Sequence, residues 1–132
     1  MDKEIPKNTK VVVIGGGVAG TSCAYHLAKF GWKDVVLLER DQLTSGTTWH
    51  AAGLLGQLGA SSTITKIRKY SLDLYKELEK ITGLSTGLKQ NGAITVASTK
   101  ERMQELLRQA TTAQLSNVEA EVLSKERIKE LY

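Results

Sequence analysis

The segment "KVVVIGGGVAG", residues 10–20, joins a short run of apolar residues directly to a cluster of glycines. Four consecutive apolar residues, 11–14, are typical of a strand that is buried on both faces of a parallel sheet. After the glycines the apolar spacing becomes helical from Val18 to about Phe30, and Gly31 is well placed to end that helix. The segment therefore predicts a strand, a glycine turn and a helix in direct succession.

A second apolar run follows this helix in "DVVLLER", residues 34–40. It predicts another buried strand from Val35 to Glu39. Strand, helix and strand together make a βαβ unit over residues 10–40, for which we expect a parallel pair and a right-handed crossover.

The glycines of this unit have the spacing Gly15-x-Gly17-x-x-Gly20. Gly15 allows a sharp turn off the strand, Gly17 lets the backbone approach a pyrophosphate, and Gly20 lets the helix pack closely on the sheet. The N-terminus of the helix then offers free N–H groups to the phosphates. The motif is weak alone, but here it follows a strand and opens a helix, which is the context that a dinucleotide site requires.

An acidic residue, Glu39, closes the second strand nineteen residues after Gly20. A carboxylate at this place accepts hydrogen bonds from the ribose hydroxyls and would repel a 2′-phosphate, which disfavours NADP. The alternative is a glycine-rich turn followed by an unrelated surface acid. The ordered succession of strand, glycines, helix, strand and acid favours the dinucleotide site.

Residues 41–61 are rich in small side chains and contain "SGTTWHAAG", residues 45–53. An NAD enzyme usually continues at this point with another strand and helix. A loop of small residues can instead pass close to a second bulky part of a cofactor, which favours FAD over NAD. From the residues alone, His50 can also be a histidine that is hydrogen-bonded in a tight loop without any covalent role.

Beyond this loop the chain predicts further regular elements. Apolar spacing predicts an amphipathic helix, and hydroxyl residues before two later segments predict helix caps. The expected elements are a helix from about Ser62 to Thr82, a strand near Ala93–Ala97, a helix to about Leu115 with a capping box of Ser98 and Glu101, a strand at 118–123, and a helix capped by Ser124.

Composition excludes several classes of protein. The chain has 132 residues, of which 41% are apolar and 24% charged, and its net charge of +4 arises from interleaved acids and bases. Interleaving is typical of solvated helix faces, so we expect no nucleic-acid binding. No apolar run approaches the length needed to span a membrane, so we expect no membrane span. Cys23, the one cysteine, permits no internal disulfide, supplies no zinc motif and is expected to be a small buried apolar residue.

The two ends of the chain carry two further expectations. The start is charged and lacks the character of a secretory or transit peptide, which favours a cytoplasmic protein of bacterial type over one of the mitochondrial matrix. The chain stops at Tyr132, about two turns into its last predicted helix. It therefore reads as a tail, 1–9, followed by the N-terminal part of a longer domain, 10–132.

The residues "VVVIGGGVAGTSCAYHLAKFGWKDVVLLERDQLTSGTTWHAAGLLGQL" and "YSLDLYKELEKITGLSTGLKQNGAITVASTKERMQELL" resemble the dimethylglycine and sarcosine dehydrogenase family. These are flavoproteins of the D-amino-acid-oxidase superfamily, and "LTSGTTWHAAGL" is the most specific part of the match. The resemblance implies an α/β fold with a Rossmann-like FAD-binding βαβ unit, incomplete here. A long helix (62–82) and the first elements of a substrate domain (92–132) then follow.

The resemblance also implies an activity, namely FAD-dependent oxidation of an N-methyl amine such as sarcosine or dimethylglycine. Hydride passes from the substrate methyl group to flavin N5. The iminium product is then hydrolysed to formaldehyde or captured by tetrahydrofolate, the latter only through domains outside this chain. The electron acceptor is an electron-transfer flavoprotein, a quinone or oxygen.

Site residues follow from the same resemblance. The family attaches the flavin 8α carbon to the histidine that corresponds to His50. The candidate cofactor-binding residues are Gly15, Gly16, Gly17, Val18, Ala19, Gly20, Glu39, Arg40, Gly46, Thr47, Thr48, His50, Ala52, Gly53 and Leu54. No catalytic residue and no metal ligand is assigned, because the substrate-facing residues of the family lie beyond this segment. Two alternatives stay open, namely another amine or amino-acid oxidase with noncovalent FAD, and a non-catalytic dinucleotide-binding module.

Overall fold

The computed structural model describes residues 6–131, which form an α/β arrangement of two strands and four α-helices. In chain order these are β1 (Val11–Ile14), α1 (Val18–Lys29), β2 (Val35–Leu38), a 3₁₀ turn (Thr47–His50), α2 (Ser62–Thr82), α3 (Lys100–Leu115) and α4 (Lys125–Leu131). The predicted α/β class is therefore confirmed. The chain divides into two compact units, Met1–Leu54 and Leu55–Tyr132.

The first unit contains the predicted βαβ arrangement. Strands β1 and β2 pair in parallel, with Val11 opposite Val35 and Ile14 opposite Leu38, and α1 packs against both strands. Gly31 follows the helix with φ +88°, and its N–H donates to the carbonyl of Ala28. A left-handed residue directly after a helix is a common way to end it, and glycine adopts that conformation at no steric cost.

Burial of β1 and β2 differs from the sequence prediction. We expected strands covered on both faces, but Val12 is 48% and Ile14 85% exposed. The cause is that α1 covers one face of the two-stranded sheet within the described residues. Cys23 is also exposed, so the prediction of a buried thiol is wrong. The half-buried side chains of α1 include Ala24 and Leu27, which the apolar spacing also placed on the inner side of the helix.

In the second unit, α2 has the predicted bounds. Its N-cap is Ser61, whose hydroxyl accepts from the Ile64 N–H at 3.3 Å, and Gly83 ends it with φ +68°. Leu72 is buried on this helix, and Ala113 and Val118 are buried at and just after the end of α3. These three side chains are buried apolar residues of the second unit.

The cap of α3 differs from the prediction by one residue. The hydroxyl of Thr99, and not that of Ser98, accepts the Arg102 N–H at 3.1 Å, so the helix begins at Lys100. The predicted capping box of Ser98 and Glu101 is therefore wrong. The predicted cap of α4 is confirmed, since the Ser124 hydroxyl accepts the Arg127 N–H at 3.1 Å.

The two strands predicted after α2 do not form. Residues 93–97 and 118–123 have no strand assignment and pair with no other segment among residues 6–131. Val96 is 72% and Val122 51% exposed. Alternating apolar residues make a strand only where a neighbour accepts and donates the backbone hydrogen bonds, and the described part of the chain supplies none.

Two further features are absent from residues 6–131. No helix there has the length and apolar character needed to cross a bilayer. No group of three histidine, cysteine, aspartate or glutamate side chains in that range is arranged to hold a metal ion.

Candidate functional site

The glycine turn between β1 and α1 is tightly built. Gly15 has φ +103°, a conformation that side chains disfavour, and its N–H donates to the Leu38 carbonyl at 2.8 Å. A Cβ on Gly20 would overlap the carbonyl oxygen of Gly15. The first turn of α1 therefore lies against the end of β1, as the motif predicts, and only glycine fits position 20.

The N-terminus of α1 is suited to an anion. Gly17 is the N-cap and has no side chain to cap the helix, and the first turn contains no acidic residue. Within the described chain, the N–H groups of Ala19 and Gly20 donate to no acceptor. Free N–H donors together with the positive end of the helix dipole attract phosphate groups. The turn therefore fits the pyrophosphate of a dinucleotide.

Glu39 lies against this turn from the end of β2. Its Oε2 accepts the Gly16 N–H at 2.7 Å, and its Oε1 accepts the N–H groups of Arg40 at 2.7 Å and Asp41 at 3.1 Å. The Gly16 bond is the largest of the influences that hold the pKa of Glu39 below its ordinary value, and the Asp41 and Arg40 N–H groups act in the same direction. The carboxylate is thus kept ionised by the backbone around it.

The bonds to Glu39 leave room for a ligand. A carboxylate offers roughly four lone-pair positions, of which the three N–H groups use three. Glu39 therefore retains capacity for a ribose hydroxyl while it holds the glycine turn. The sequence predicted the first role for this residue and missed the second.

The loop after β2 is attached to the glycine turn at residues that sequence analysis did not single out. The Thr44 N–H donates to the Gly16 carbonyl at 3.0 Å, with Thr44 at φ +67°, and a Cβ on Gly16 would lie 2.5 Å from Leu43 Cδ2. Leu43 was detectable as a large apolar residue in a polar loop. Thr44 gave no signal, because threonine rarely adopts a left-handed conformation.

A second attachment comes from Thr48, in the 3₁₀ turn. Its Oγ1 accepts the Val18 N–H of helix α1 at 2.9 Å. Thr48 was predicted to lie along a cofactor, but its contact with the helix was not predicted. The two attachments bring the small-residue loop and the dinucleotide glycines into one cluster within the first unit.

His50 closes the 3₁₀ turn and is exposed. Its Nδ1 lies 3.1 Å from the Gly46 carbonyl oxygen, which also accepts the Trp49 N–H at 3.2 Å. Because a carbonyl only accepts, this contact assigns the ring proton to Nδ1, and the neutral imidazole then keeps its free lone pair on Nε2. The ring nitrogen available to an electrophile is therefore Nε2.

The last three residues of the loop that were predicted to bind the cofactor make no hydrogen bond to the glycine turn in the part of the chain that the structure describes. Ala52, Gly53 and Leu54 are exposed and, among residues 6–131, donate no hydrogen bond to the glycine turn. Leu54 is 89% exposed. Their predicted contact with a flavin stays a prediction.

Comparison with known proteins gives relatives along nearly the whole chain. It is 45% identical over 98% of its length to human mitochondrial sarcosine dehydrogenase, and 43% identical over 97% to 4-methylaminobutanoate oxidase (formaldehyde-forming) of Paenarthrobacter nicotinovorans. It is also 40% identical over 97% of its length to the mitochondrial pyruvate dehydrogenase phosphatase regulatory subunit of Mus musculus. The chain spans 14%, 16% and 15% of these three proteins, respectively.

These matches confirm the resemblance to sarcosine dehydrogenase. A family model described as "FAD dependent oxidoreductase" also matches residues 10–132, which include the glycine turn, Glu39 and the loop with His50. Since that match covers more than nine-tenths of the sequence, the chain belongs to the FAD dependent oxidoreductase family.

Proposed function

We propose that this chain is the FAD-binding segment of an oxidoreductase that demethylates N-methyl amines such as sarcosine or dimethylglycine. The observation that carries the proposal is the cluster in the first unit, where the open N-terminus of α1, the Glu39 carboxylate and the loop with His50 meet. The names of two relatives support the substrate class, since sarcosine and 4-methylaminobutanoate are both N-methylated amino acids.

The βαβ unit is, in this proposal, the first part of a Rossmann-like FAD domain of the D-amino-acid-oxidase type. Residues 15–20 bind the pyrophosphate through the N–H groups at the start of α1, and Glu39 binds a ribose hydroxyl. Residues 46–54 lie along the flavin. Bound FAD supplies the acceptor for the hydride that leaves the N-methyl group of the substrate.

We assign covalent attachment to His50. The Gly46 carbonyl holds the Nδ1 proton, so Nε2 presents a lone pair to the flavin 8α carbon. The N–C bond forms with loss of one proton from that carbon and one from Nδ1. The two electrons released go to the flavin ring and then to the electron acceptor of the enzyme.

Acid precipitation of the protein at its natural full length tests this assignment. A covalent link leaves the yellow colour in the pellet, and His50→Ala moves it to the supernatant. Yellow colour only in the supernatant of the wild-type protein would show that the FAD is noncovalent, as expected for another amine or amino-acid oxidase of the superfamily.

A second candidate function is a non-catalytic FAD-binding module in a regulatory protein. It is favoured by the 40% identity to the phosphatase regulatory subunit, which extends over 97% of this chain. This candidate shares the FAD site of the first. It differs in predicting a bound flavin that no N-methyl amine reduces.

A further inference from the structure

In the first unit, one hydroxyl group joins the loop at 45–53 to the N-terminus of helix α1. Thr48 Oγ1 accepts the N–H of Val18, the first residue of α1, at 2.9 Å across thirty residues of sequence. We propose that Thr48 is a positioning residue for His50, which fixes the 3₁₀ turn on helix α1 so that the imidazole stands where the flavin is attached. The inference rests on the proposed attachment of flavin to His50.

The contact replaces a cap that the helix lacks. A helix is normally capped by the side chain of its own N-cap residue, and Gly17 has none. The Thr48 hydroxyl accepts one of the open N–H groups instead. A Cβ on Gly17 would lie only 3.0 Å from Thr48 Oγ1, so the glycine leaves room for this approach as well as for a cofactor.

The 3₁₀ turn transmits the position of Thr48 to His50. The Ala51 N–H donates to the Thr48 carbonyl at 3.2 Å, while Trp49 and His50 both contact the Gly46 carbonyl. Four consecutive residues are thus held in one hydrogen-bonded turn. Without the Thr48 hydroxyl, the attachment nearest to His50 is lost.

Within residues 6–131, the other hydrogen bond from this loop to the glycine turn is that of Thr44, six residues before His50, through its N–H to the Gly16 carbonyl. It does not fix the 3₁₀ turn itself. Bond formation depends steeply on alignment, and a misplacement of about 1 Å costs roughly 100-fold in rate. We therefore expect loss of the Thr48 hydroxyl to slow flavin attachment far more than it changes the fold.

The experiment compares Thr48→Val, which removes the hydroxyl at nearly constant shape, with Thr48→Ser, which keeps it. Apoprotein at its natural full length is mixed with saturating FAD, and covalent flavin is followed by fluorescence of the denatured protein. Saturating FAD removes any effect on noncovalent affinity. Hydrogen exchange of the Val18 amide in the apoprotein is measured in parallel.

We expect Thr48→Val to attach flavin about 10- to 100-fold more slowly and to exchange the Val18 amide faster. Thr48→Ser should stay close to wild type both in the rate of flavin attachment and in the exchange rate of the Val18 amide. Wild-type rates in Thr48→Val, or equal slowing in Thr48→Ser, would overturn the inference. If the wild-type protein holds no covalent flavin, the assignment of His50 fails, and the positioning role fails with it; Val18 exchange then still reports whether the cap exists.

A second variant tests the same bond from the donor side, should Thr48→Val fail to fold. Val18→Pro removes the N–H, and proline is well tolerated at the first position of a helix. The preceding Gly17 has an extended backbone, with φ −75° and ψ −178°, as proline requires of its neighbour. Val18→Pro alone should slow flavin attachment about 10- to 100-fold, as expected for Thr48→Val, and a wild-type rate of attachment in Val18→Pro would overturn the inference.

Discussion

At the scale of single residues, Glu39 has two roles in the first unit, and the sequence predicts only one of them. The position of an acid after the second strand predicts a ribose ligand. The structure adds hydrogen bonds from Gly16, Arg40 and Asp41 to the same carboxylate. The second task was not predictable, because it depends on how the glycine turn approaches β2 in space.

The first prediction concerns Glu39→Gln and pH. The lowered pKa of Glu39 means that its ionised form stabilises the fold above the ordinary glutamate pKa, about 4.3. This stabilisation is lost as the pH falls through the lowered folded-state pKa. Wild type should therefore be more stable than Glu39→Gln at neutral pH, and the difference in unfolding midpoint should shrink as the pH falls below the ordinary glutamate pKa.

Thermal unfolding of the two apoproteins measures this difference. Glu79, Glu101, Glu105 and Glu126 also have lowered pKa values, but they are present in both proteins and cancel in the comparison. Glu121→Gln is the matched control, since this exposed carboxylate makes no hydrogen bond within residues 6–131. A constant difference between wild type and Glu39→Gln at all pH values would disprove the role in the loop.

Gly20 gives the second prediction at this scale. An alanine there would place its Cβ on the Gly15 carbonyl oxygen, so helix α1 must shift away from β1. We expect a loss of about 1–3 kcal/mol in the free energy of unfolding, together with weaker FAD binding.

Urea unfolding measures the stability, and Gly56→Ala is the control. No atom lies within 4 Å of a Cβ at Gly56 and its φ is not left-handed, so that variant should stay within about 0.5 kcal/mol of wild type. Equal stabilities of Gly20→Ala and wild type would show that the close approach of helix and strand is not required.

At the scale of elements, local signals predicted the four helices and the two strands of the βαβ unit, but the two later strands they predicted do not form. The bounds of α2 and the Ser124 cap of α4 follow from spacing and from hydroxyl residues, which act over a few positions. Residues 93–97 show a strand pattern but no strand. A helix satisfies its own backbone, whereas a strand depends on a partner that its own sequence does not contain.

The cap of α3 tests directly which residue, Thr99 or Ser98, caps the helix. Thr99→Ala removes the hydroxyl that accepts the Arg102 N–H and should cost about 1 kcal/mol. Ser98→Ala, one residue earlier, should cost close to nothing. Denaturant unfolding with a helix-sensitive signal distinguishes them, and a larger loss for Ser98→Ala would restore the capping box that the sequence predicted.

At the scale of the whole molecule, the family was predictable, because the glycine turn, Glu39 and the loop at 45–53 lie within forty residues of one another. The binding of FAD by these residues stays a prediction. The exposure of one face of β1 and β2 was not predictable from the sequence. Burial on both faces requires cover on both sides of a sheet, and in the first unit the two strands are covered by one α-helix, α1. The chain is similar in sequence both to two enzymes and to a regulatory subunit. Catalysis is therefore the central claim of the proposed function.

Anaerobic stopped-flow mixing of the FAD-loaded protein, at its natural full length, with sarcosine or dimethylglycine tests that claim most directly. We predict that at least one of these amines bleaches the visible flavin absorbance and yields formaldehyde after hydrolysis. Glycine, which has no N-methyl group, should leave the absorbance unchanged. A protein that binds FAD but whose flavin is bleached by neither amine would contradict the proposed demethylation and favour a regulatory FAD-binding module.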